Sequence, residues 1–102
     1  MWFVYMLLAS DQSIYTGITT NITRRWQEHT AGRAGAKFFR GREPVYLLYL
    51  EASHNRSTAT KKEMALKKLS RAQKWQYITR TGDLNKVHGI EHGLPVYSWD
   101  NK

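Results

Sequence analysis

The segment Tyr15–His29, YTGITTNITRRWQEH, constrains the fold more than any other part of the chain. It begins with β-favouring residues, passes Gly17, which is small enough to permit a close approach of other groups, and becomes helical after Asn21. Asn21 is suited to cap a helix, because its side-chain oxygen can accept a hydrogen bond from a backbone N–H of the first turn. On that helix Arg25 and His29 are four residues apart and share one face. The sequence therefore predicts a phenol, a guanidinium and an imidazole near one strand-to-helix corner, which suits phosphate chemistry.

Two apolar segments accompany this corner. Trp2–Leu8 is predicted to be a buried strand, and the short polar link before Ile14–Ile18 favours an antiparallel hairpin. The hairpin would bring Tyr5 and Tyr15 close together. A third strand is predicted at Val45–Glu51, which is rich in β-favouring residues.

The remaining periodic segments predict helices. The first runs from Ile22 to Ala31, the second begins at Ser57 or Thr60, and the third extends from a capping box at Ser70–Gln73 to about Arg80. The start of the second helix decides how Glu63 is interpreted. If it begins at Thr60, Glu63 completes a capping box; if it begins at Ser57, Glu63 is free to bind a metal ion.

The charge balance indicates a polyanionic partner. The chain has 16 Lys and Arg against 8 Asp and Glu, and 14 of those basic residues but only four acids lie between Arg24 and Arg80. Nucleic acid is the commonest polyanion for such a protein, although a merely solvated basic surface has the same composition. In the loop 33–42, basic and aromatic residues alternate, which suits phosphate binding and base stacking, unless one Phe only fills the core. The candidate nucleic-acid contacts are Arg24, Lys37, Phe38, Arg40, Arg42, Lys67, Lys68, Arg71 and Lys74.

The chain is expected to form one domain over residues 1–82, followed by a loop-like tail at 83–102. The tail is predicted to pack back through Val96, Tyr97 and Trp99, or to be partly mobile. There is no cysteine, which suits a reducing compartment, so we expect a cytoplasmic protein. The apolar run Val4–Ala9 is far shorter than the roughly 20 residues of a membrane span, and the N-terminus lacks the features of a signal peptide.

Each candidate catalytic residue also has a purely structural interpretation. Tyr5 and Tyr15 can be strand aromatics, and Arg25 can be a solvated helix residue. His29 can stabilise the end of its helix, where the helix dipole favours a cation. The residue types alone leave both interpretations open.

The joint spacing of these residues resembles the GIY-YIG nuclease domain, and in particular its small stand-alone bacterial members of the YhbQ type. Phe3-Val4-Tyr5 stands for the first motif and Tyr15-Thr16-Gly17 for the second. Arg25 lies eight residues after Gly17, His29 follows four residues later, and Glu63 lies on a later helix. The resemblance covers residues 2 to about 80.

This resemblance implies an α+β fold with a small three-stranded antiparallel sheet flanked by about three helices. It also implies single-metal hydrolysis of a phosphodiester with Mg²⁺ or Mn²⁺. By analogy, Tyr15 or His29 would activate water with support from Tyr5, Arg25 would stabilise the phosphoryl group, and Glu63 would bind the metal.

The resulting prediction is a structure-selective DNA endonuclease of repair or processing, with RNA also open as a substrate. The alternative is a nucleic-acid-binding module with a degenerate or very weak active site. Departures from the family pattern bear on this choice. Trp75 stands where many members have an Asn, and Ile18 stands where excision-repair relatives have a lysine.

Overall fold

The structure, a computed structural model, describes residues 1–31, 39, 41–53, 55–80 and 92–97. Over these described residues the fold is α+β, with one three-stranded antiparallel sheet and three helices, and it confirms the predicted fold class. In chain order the elements are β1 (Trp2–Ala9), β2 (Ile14–Thr19), α1 (Ile22–Thr30), β3 (Pro44–Ser53), α2 (Arg56–Lys67) and α3 (Arg71–Arg80). The strand order is β2-β1-β3.

The central position of β1 explains its nearly unbroken apolar sequence, because it is covered on both faces. Val4, Met6 and Leu8 pack on one face in a cluster with Ala59 and Leu66 of α2. Residues of β1 at alternate positions point to the other face, where a second cluster forms around α1. The members of this second cluster are Tyr5, Leu7, Ala9, Ile22, Phe39, Leu47, Leu50 and Leu94. The sheet thus separates an α2–α3 layer from an α1 layer.

The pairing of β3 with β1 contains a β-bulge. The register shifts between Met6 and Leu7, so that Tyr5 faces Leu50 while Leu7 faces Leu47. Because of this bulge, Leu47 and Leu50 reach the same cluster although they are three residues apart. The run of apolar residues in β3 therefore has no simple alternation.

The position at which α2 begins excludes one of the two interpretations of Glu63. Asn55 is the N-cap, and its side chain and that of Thr58 form a reciprocal capping box. The helix begins at Arg56, so the interpretation in which Thr60 and Glu63 form the capping box is wrong. The capping box predicted before α3 is present, since the Gln73 side chain accepts from the Ser70 N–H while Ser70 Oγ accepts from the Gln73 N–H. Among the described residues, no helix has the length and apolar character needed to cross a membrane.

The described part of the tail, residues 92–97, lies along β3. The Leu47 N–H donates to the Pro95 carbonyl at 2.8 Å, and the Tyr97 N–H donates to the Leu47 carbonyl at 3.2 Å. Val96 forms a parallel bridge with Leu47, and Leu94 is buried in the α1 layer. Trp99 and the residues at 81–91 and 98–102 lie outside the described residues, and the division into a domain and a tail stays a prediction.

Gly17 lies directly opposite Tyr5 in the β1–β2 pair. A Cβ atom at position 17 would lie 2.7 Å from the Tyr5 hydroxyl oxygen and 2.9 Å from Tyr15 Cε2. Both separations are well inside van der Waals contact. The sequence-based expectation that Gly17 permits a close approach is therefore confirmed, and the approaching groups are two phenol rings.

We expect Gly17→Ala to lower the free energy of unfolding by about 1–3 kcal/mol, because the added methyl group overpacks a buried site. Chemical denaturation of the variant and the wild type measures the difference. Thr20→Ala, at an exposed position just after β2, is the control and should change stability much less. In a Tyr5→Phe background the cost of Gly17→Ala should shrink, because the nearest clashing atom is gone. An equal cost in both backgrounds would contradict this explanation.

Candidate active site

The structure brings together four of the residues selected from the sequence. The Tyr5 hydroxyl and His29 Nε2 are 2.9 Å apart in a buried hydrogen bond. The Tyr15 ring centroid lies 6.0 Å from that of Tyr5 and 5.2 Å from that of His29. The Arg25 guanidinium interacts with the hydroxyls of both tyrosines. These four side chains come from β1, β2 and α1 and are called the tyrosine–histidine cluster below.

Burial differs within the cluster. Tyr5 and His29 are 0% and 1% exposed, whereas Tyr15 and Arg25 are partly exposed. His29 lies seven residues after the buried Ile22, so both project from α1 into the core. The cluster is therefore arranged in depth, with Tyr5 and His29 in the core and Tyr15 and Arg25 nearer the solvent.

Phe39 covers the histidine. Its ring centroid lies 4.4 Å from that of His29 and 5.2 Å from that of Tyr15, and it is almost fully buried. Phe39 therefore shields the imidazole from water. Phe39 thus fills the core, and Phe38 lies outside the described residues.

Burial and a neighbouring cation set the protonation state of His29. Desolvation, reinforced by the positive charge of Arg25, lowers the pKa of His29 to about 4, against a smaller opposing effect of Glu28. Desolvation also raises the pKa of Tyr5 well above its usual value. At neutral pH the pair is therefore an uncharged phenol next to an uncharged imidazole, and Nδ1 of that imidazole is buried with no hydrogen-bond partner among the described residues.

Arg25 keeps its charge and its position. Desolvation tends to lower its pKa, but hydrogen bonds to Tyr5, Glu28 and Tyr15 outweigh that effect and raise it. Its Nη1 atom lies 3.3 Å from Glu28 Oε1, three residues along α1. The cluster thus presents one fixed positive charge to whatever enters from solvent.

Glu63 lies in the other layer. It projects from α2, whose residues Ala59 and Leu66 pack on the opposite face of the sheet from Tyr5. Its carboxylate is 18% exposed and lies 3.3 Å from Lys67 Nζ, the single ion-pair partner it has within the described residues. Across the part of the chain that the structure describes, no hydrogen bond or ion pair joins Glu63 to the tyrosine–histidine cluster.

A cavity of about 310 Å³ lies at β2, the outer strand of the sheet. Trp2 and Ile18 also pack against the cluster that contains Ala59 and Leu66, called the α2-side cluster below, whereas Arg25 and Glu28 project from α1. Side chains from both faces of the sheet therefore line the cavity. Its lining residues are Trp2, Ile18, Thr19, Thr20, Arg24, Arg25 and Glu28. Through Arg25 this β2-edge cavity adjoins the tyrosine–histidine cluster.

The candidate nucleic-acid contacts form two described groups. Arg24 lines the β2-edge cavity. The other group occupies exposed or partly exposed positions on α2, on α3 and in the turn between them; these residues are Lys67, Lys68, Arg71 and Lys74. Arg42 is paired with Asp11, with Nε 2.6 Å from Oδ2. Lys37, Phe38 and Arg40 lie outside the described residues.

A family model described as the GIY-YIG catalytic domain matches residues 1–77, which contain the whole tyrosine–histidine cluster and Glu63. The chain belongs to the GIY-YIG family. GIY-YIG domains are nuclease domains that act on nucleic acid and generally use divalent metal ions, so this relation supports a nuclease at the level of the family.

The GIY-YIG chain is similar in sequence to several relatives and similar in fold to one solved structure. It is 49% identical over 73 residues to the UPF0213 protein of Desulfotalea psychrophila, covering 72% of this chain and 66% of that protein, about two thirds. It is 47% identical over 76 residues to the UPF0213 protein of Syntrophus aciditrophicus, covering 74% of this chain and 87% of that protein. The solution NMR structure of a UPF0213 protein from Bacillus halodurans matches with a TM-score of 0.53 at 40% identity, over 80% of this chain and 87% of that one. None of these names states an activity.

Sequence reasoning missed three residues around this GIY-YIG site. Glu28, which holds Arg25, was detectable from the three-residue spacing on one helix. Phe39 had no signal that distinguished it from Phe38, because loop packing has no periodicity. Trp2 was assigned only to a strand, since its place in the cavity depends on how α1 approaches β2.

Because His29 is neutral when folded, stability should fall as pH decreases from about 6.5, the ordinary histidine pKa, to about 4, the folded-state pKa. In that window the unfolded chain binds a proton that the folded chain does not, at a cost of up to about 3 kcal/mol. Denaturation at a series of pH values measures this loss. His29→Gln cannot titrate and should show a shallower decline. Parallel pH profiles for the two proteins would contradict the buried neutral imidazole.

Proposed function

We propose that this protein is a cytoplasmic, metal-dependent endonuclease that hydrolyses phosphodiesters of DNA at structural irregularities such as nicks and branches. The observation that carries the proposal is the buried hydrogen bond of 2.9 Å between Tyr5 and His29, with a partly exposed tyrosine and a fixed arginine beside it. A purely structural core would not need an uncharged phenol–imidazole pair next to a desolvated guanidinium.

Arg25 is proposed to bind the reacting phosphate. Its planar guanidinium can donate two parallel hydrogen bonds to phosphate oxygens, and its partial burial strengthens the attraction. Negative charge increases on those oxygens as the nucleophile approaches, so a fixed cation stabilises the transition state more than the ground state. The ion pair with Glu28 holds the guanidinium in place beforehand.

By analogy with the family, either Tyr15 or His29 would activate the water. The burial pattern supports different roles for these two residues. Tyr15 is the more exposed and can contact a water molecule, whereas His29 is buried behind it. Tyr5 is hydrogen-bonded to both. We propose that the Tyr15 hydroxyl hydrogen-bonds the attacking water and helps to activate it, and that Tyr5 supports Tyr15 by hydrogen bonding. His29, a weak base because its pKa is lowered to about 4, holds the Tyr5 hydroxyl in place.

A single divalent ion fits the donors present. Among the described residues there is no group of three or more histidine, cysteine, aspartate or glutamate side chains that could enclose an ion. Mg²⁺ is commonly held by one or two carboxylates, with water and substrate phosphates completing its shell. Glu63 is the proposed protein ligand for Mg²⁺ or Mn²⁺. The ion would replace Lys67 as the partner of the Glu63 carboxylate. When bound, such an ion supplies additional positive charge to the phosphate.

Substrate that meets both Arg25 and Glu63 must cross the β2 edge of the sheet, since the two residues belong to different layers. The β2-edge cavity leads around that edge. Beyond it, the basic side chains of α2 and α3 offer contacts for the flanking phosphates. We therefore propose that Lys67, Lys68, Arg71 and Lys74 bind the nucleic-acid backbone.

A nucleic-acid-binding module without useful catalysis is the second candidate. The ion pair between Glu63 and Lys67 favours it, because a carboxylate that neutralises a lysine is less available to a metal ion. Trp75, at the position where many family members have an Asn, favours it as well.

The deciding experiment is cleavage of labelled duplex, nicked, flap and single-stranded DNA with Mg²⁺ or Mn²⁺. We expect metal-dependent products from the wild type and a loss of at least about 100-fold in kcat for Arg25→Ala, because a transition-state donor is removed. Glu63→Gln should abolish the metal dependence together with the activity.

The matched controls are Arg80→Ala and Glu43→Gln, which make the same chemical changes at exposed positions. Both should retain activity near that of the wild type. Intact binding with no product on any substrate would support the binding module instead. Cleavage that survives both Arg25→Ala and Glu63→Gln would refute the site.

The salt dependence of DNA binding tests the proposed backbone contacts. Each lysine that binds a phosphate should contribute about one unit to the slope of log affinity against log salt concentration. Lys68→Ala should therefore reduce the slope by about one. Arg42→Ala should reduce it less, because Asp11 already neutralises that guanidinium. Fluorescence anisotropy at several salt concentrations measures both slopes, and equal reductions would contradict the assignment.

A further inference from the structure

Trp2 occupies an unusual position for the first residue of a central strand. Its indole is only partly buried, since it packs against the α2-side cluster and also lines the β2-edge cavity. The Arg56 guanidinium lies 5.8 Å from the centroid of the indole ring. A flat aromatic surface at the wall of a cavity, next to a cation, is the combination with which proteins stack nucleic-acid bases.

The other walls of the cavity complement the remaining parts of a nucleotide. Arg24 and Arg25 supply two guanidinium groups for a phosphate, and the exposed Thr20 supplies a polar side chain that suits a sugar. Arg24 is exposed and has no acidic partner among the described residues. The volume, about 310 Å³, is at the lower end of the range for small-ligand sites and suits one nucleotide unit.

The position of the cavity relates this nucleotide to the reaction. Arg25 belongs both to the cavity and to the tyrosine–histidine cluster, so a phosphate bound at Arg25 has its neighbouring nucleotide within reach of the indole. A base can stack on the indole only if it has left the duplex stack or ends it.

We propose that Trp2 stacks the base of a nucleotide adjacent to the reacting phosphate, and that Arg24 binds a phosphate of the same nucleotide. This inference rests on the proposed nuclease function and deepens it. It makes the β2-edge cavity a subsite for an unstacked nucleotide. Discrimination between continuous and interrupted duplexes would then come from the cavity, with no base-specific hydrogen bond required.

The first test changes the substrate and leaves the protein intact. Once the cut position is mapped on an oligonucleotide, a series is prepared in which each of the three nucleotides on either side is replaced, one at a time, by an abasic residue. We expect one adjacent position to raise KM about five- to 100-fold, the range for loss of one base–aromatic stack. A KM that is unchanged at all six positions would overturn the proposal.

The second test changes the protein. Trp2→Leu should raise KM for the unmodified oligonucleotide and remove the penalty of the abasic residue, while Trp2→Phe should retain part of both effects. Trp75→Leu is the matched control, since Trp75 is also half-buried against the α2-side cluster but does not line the cavity. Thermal denaturation of each variant verifies folding. An abasic penalty that persists in a folded Trp2→Leu would assign the stacking to another residue.

Binding without cleavage separates this proposal from the nuclease function. Quenching of tryptophan fluorescence by a short single-stranded oligonucleotide is measured without divalent ions, in the wild type and in Trp2→Phe. Quenching that depends on Trp2 in a protein that never cleaves DNA would refute the nuclease and retain the subsite. Cleavage with the same quenching in both proteins would retain the nuclease and refute the subsite.

Discussion

The close contact between Tyr5 and Gly17 is the constraint on which the rest of the site depends. Two neighbouring strands ordinarily keep a side chain at each paired position, and the missing Cβ at Gly17 allows the Tyr5 and Tyr15 rings to lie over β2. From there the Tyr5 hydroxyl reaches His29 on the helix that follows the same strand. A single small residue thus couples a strand pair to a helix, and the corner between them becomes a chemical site.

The electrostatics of this corner follow from the same packing. Burial keeps the phenol and the imidazole uncharged, while hydrogen bonds keep the guanidinium charged. An anion that approaches the cluster therefore meets the charged Arg25, with an uncharged imidazole behind it. Phe39 maintains this separation because it excludes water from the imidazole.

The limits of prediction from sequence lie in tertiary contacts. The strands and helices follow from apolar runs and caps within a few residues of each other, and Asn21 and Ser70 act as predicted. The burial of His29 could not be predicted, since its position at a helix end allows either a solvated cation or a core residue. The place of Glu63 in the other layer depends on which face of the sheet α2 covers, and no local pattern encodes that choice.

The hydrogen bonds between Leu47 and the chain at Pro95–Tyr97 have a consequence for assembly. An uncovered edge strand can pair with a strand of another molecule and start aggregation. Residues 92–97 occupy part of that edge of β3 and so block pairing with another molecule there. The same bonds would form equally well if the tail of a second copy lay there, so two molecules could exchange tails at little cost in contacts.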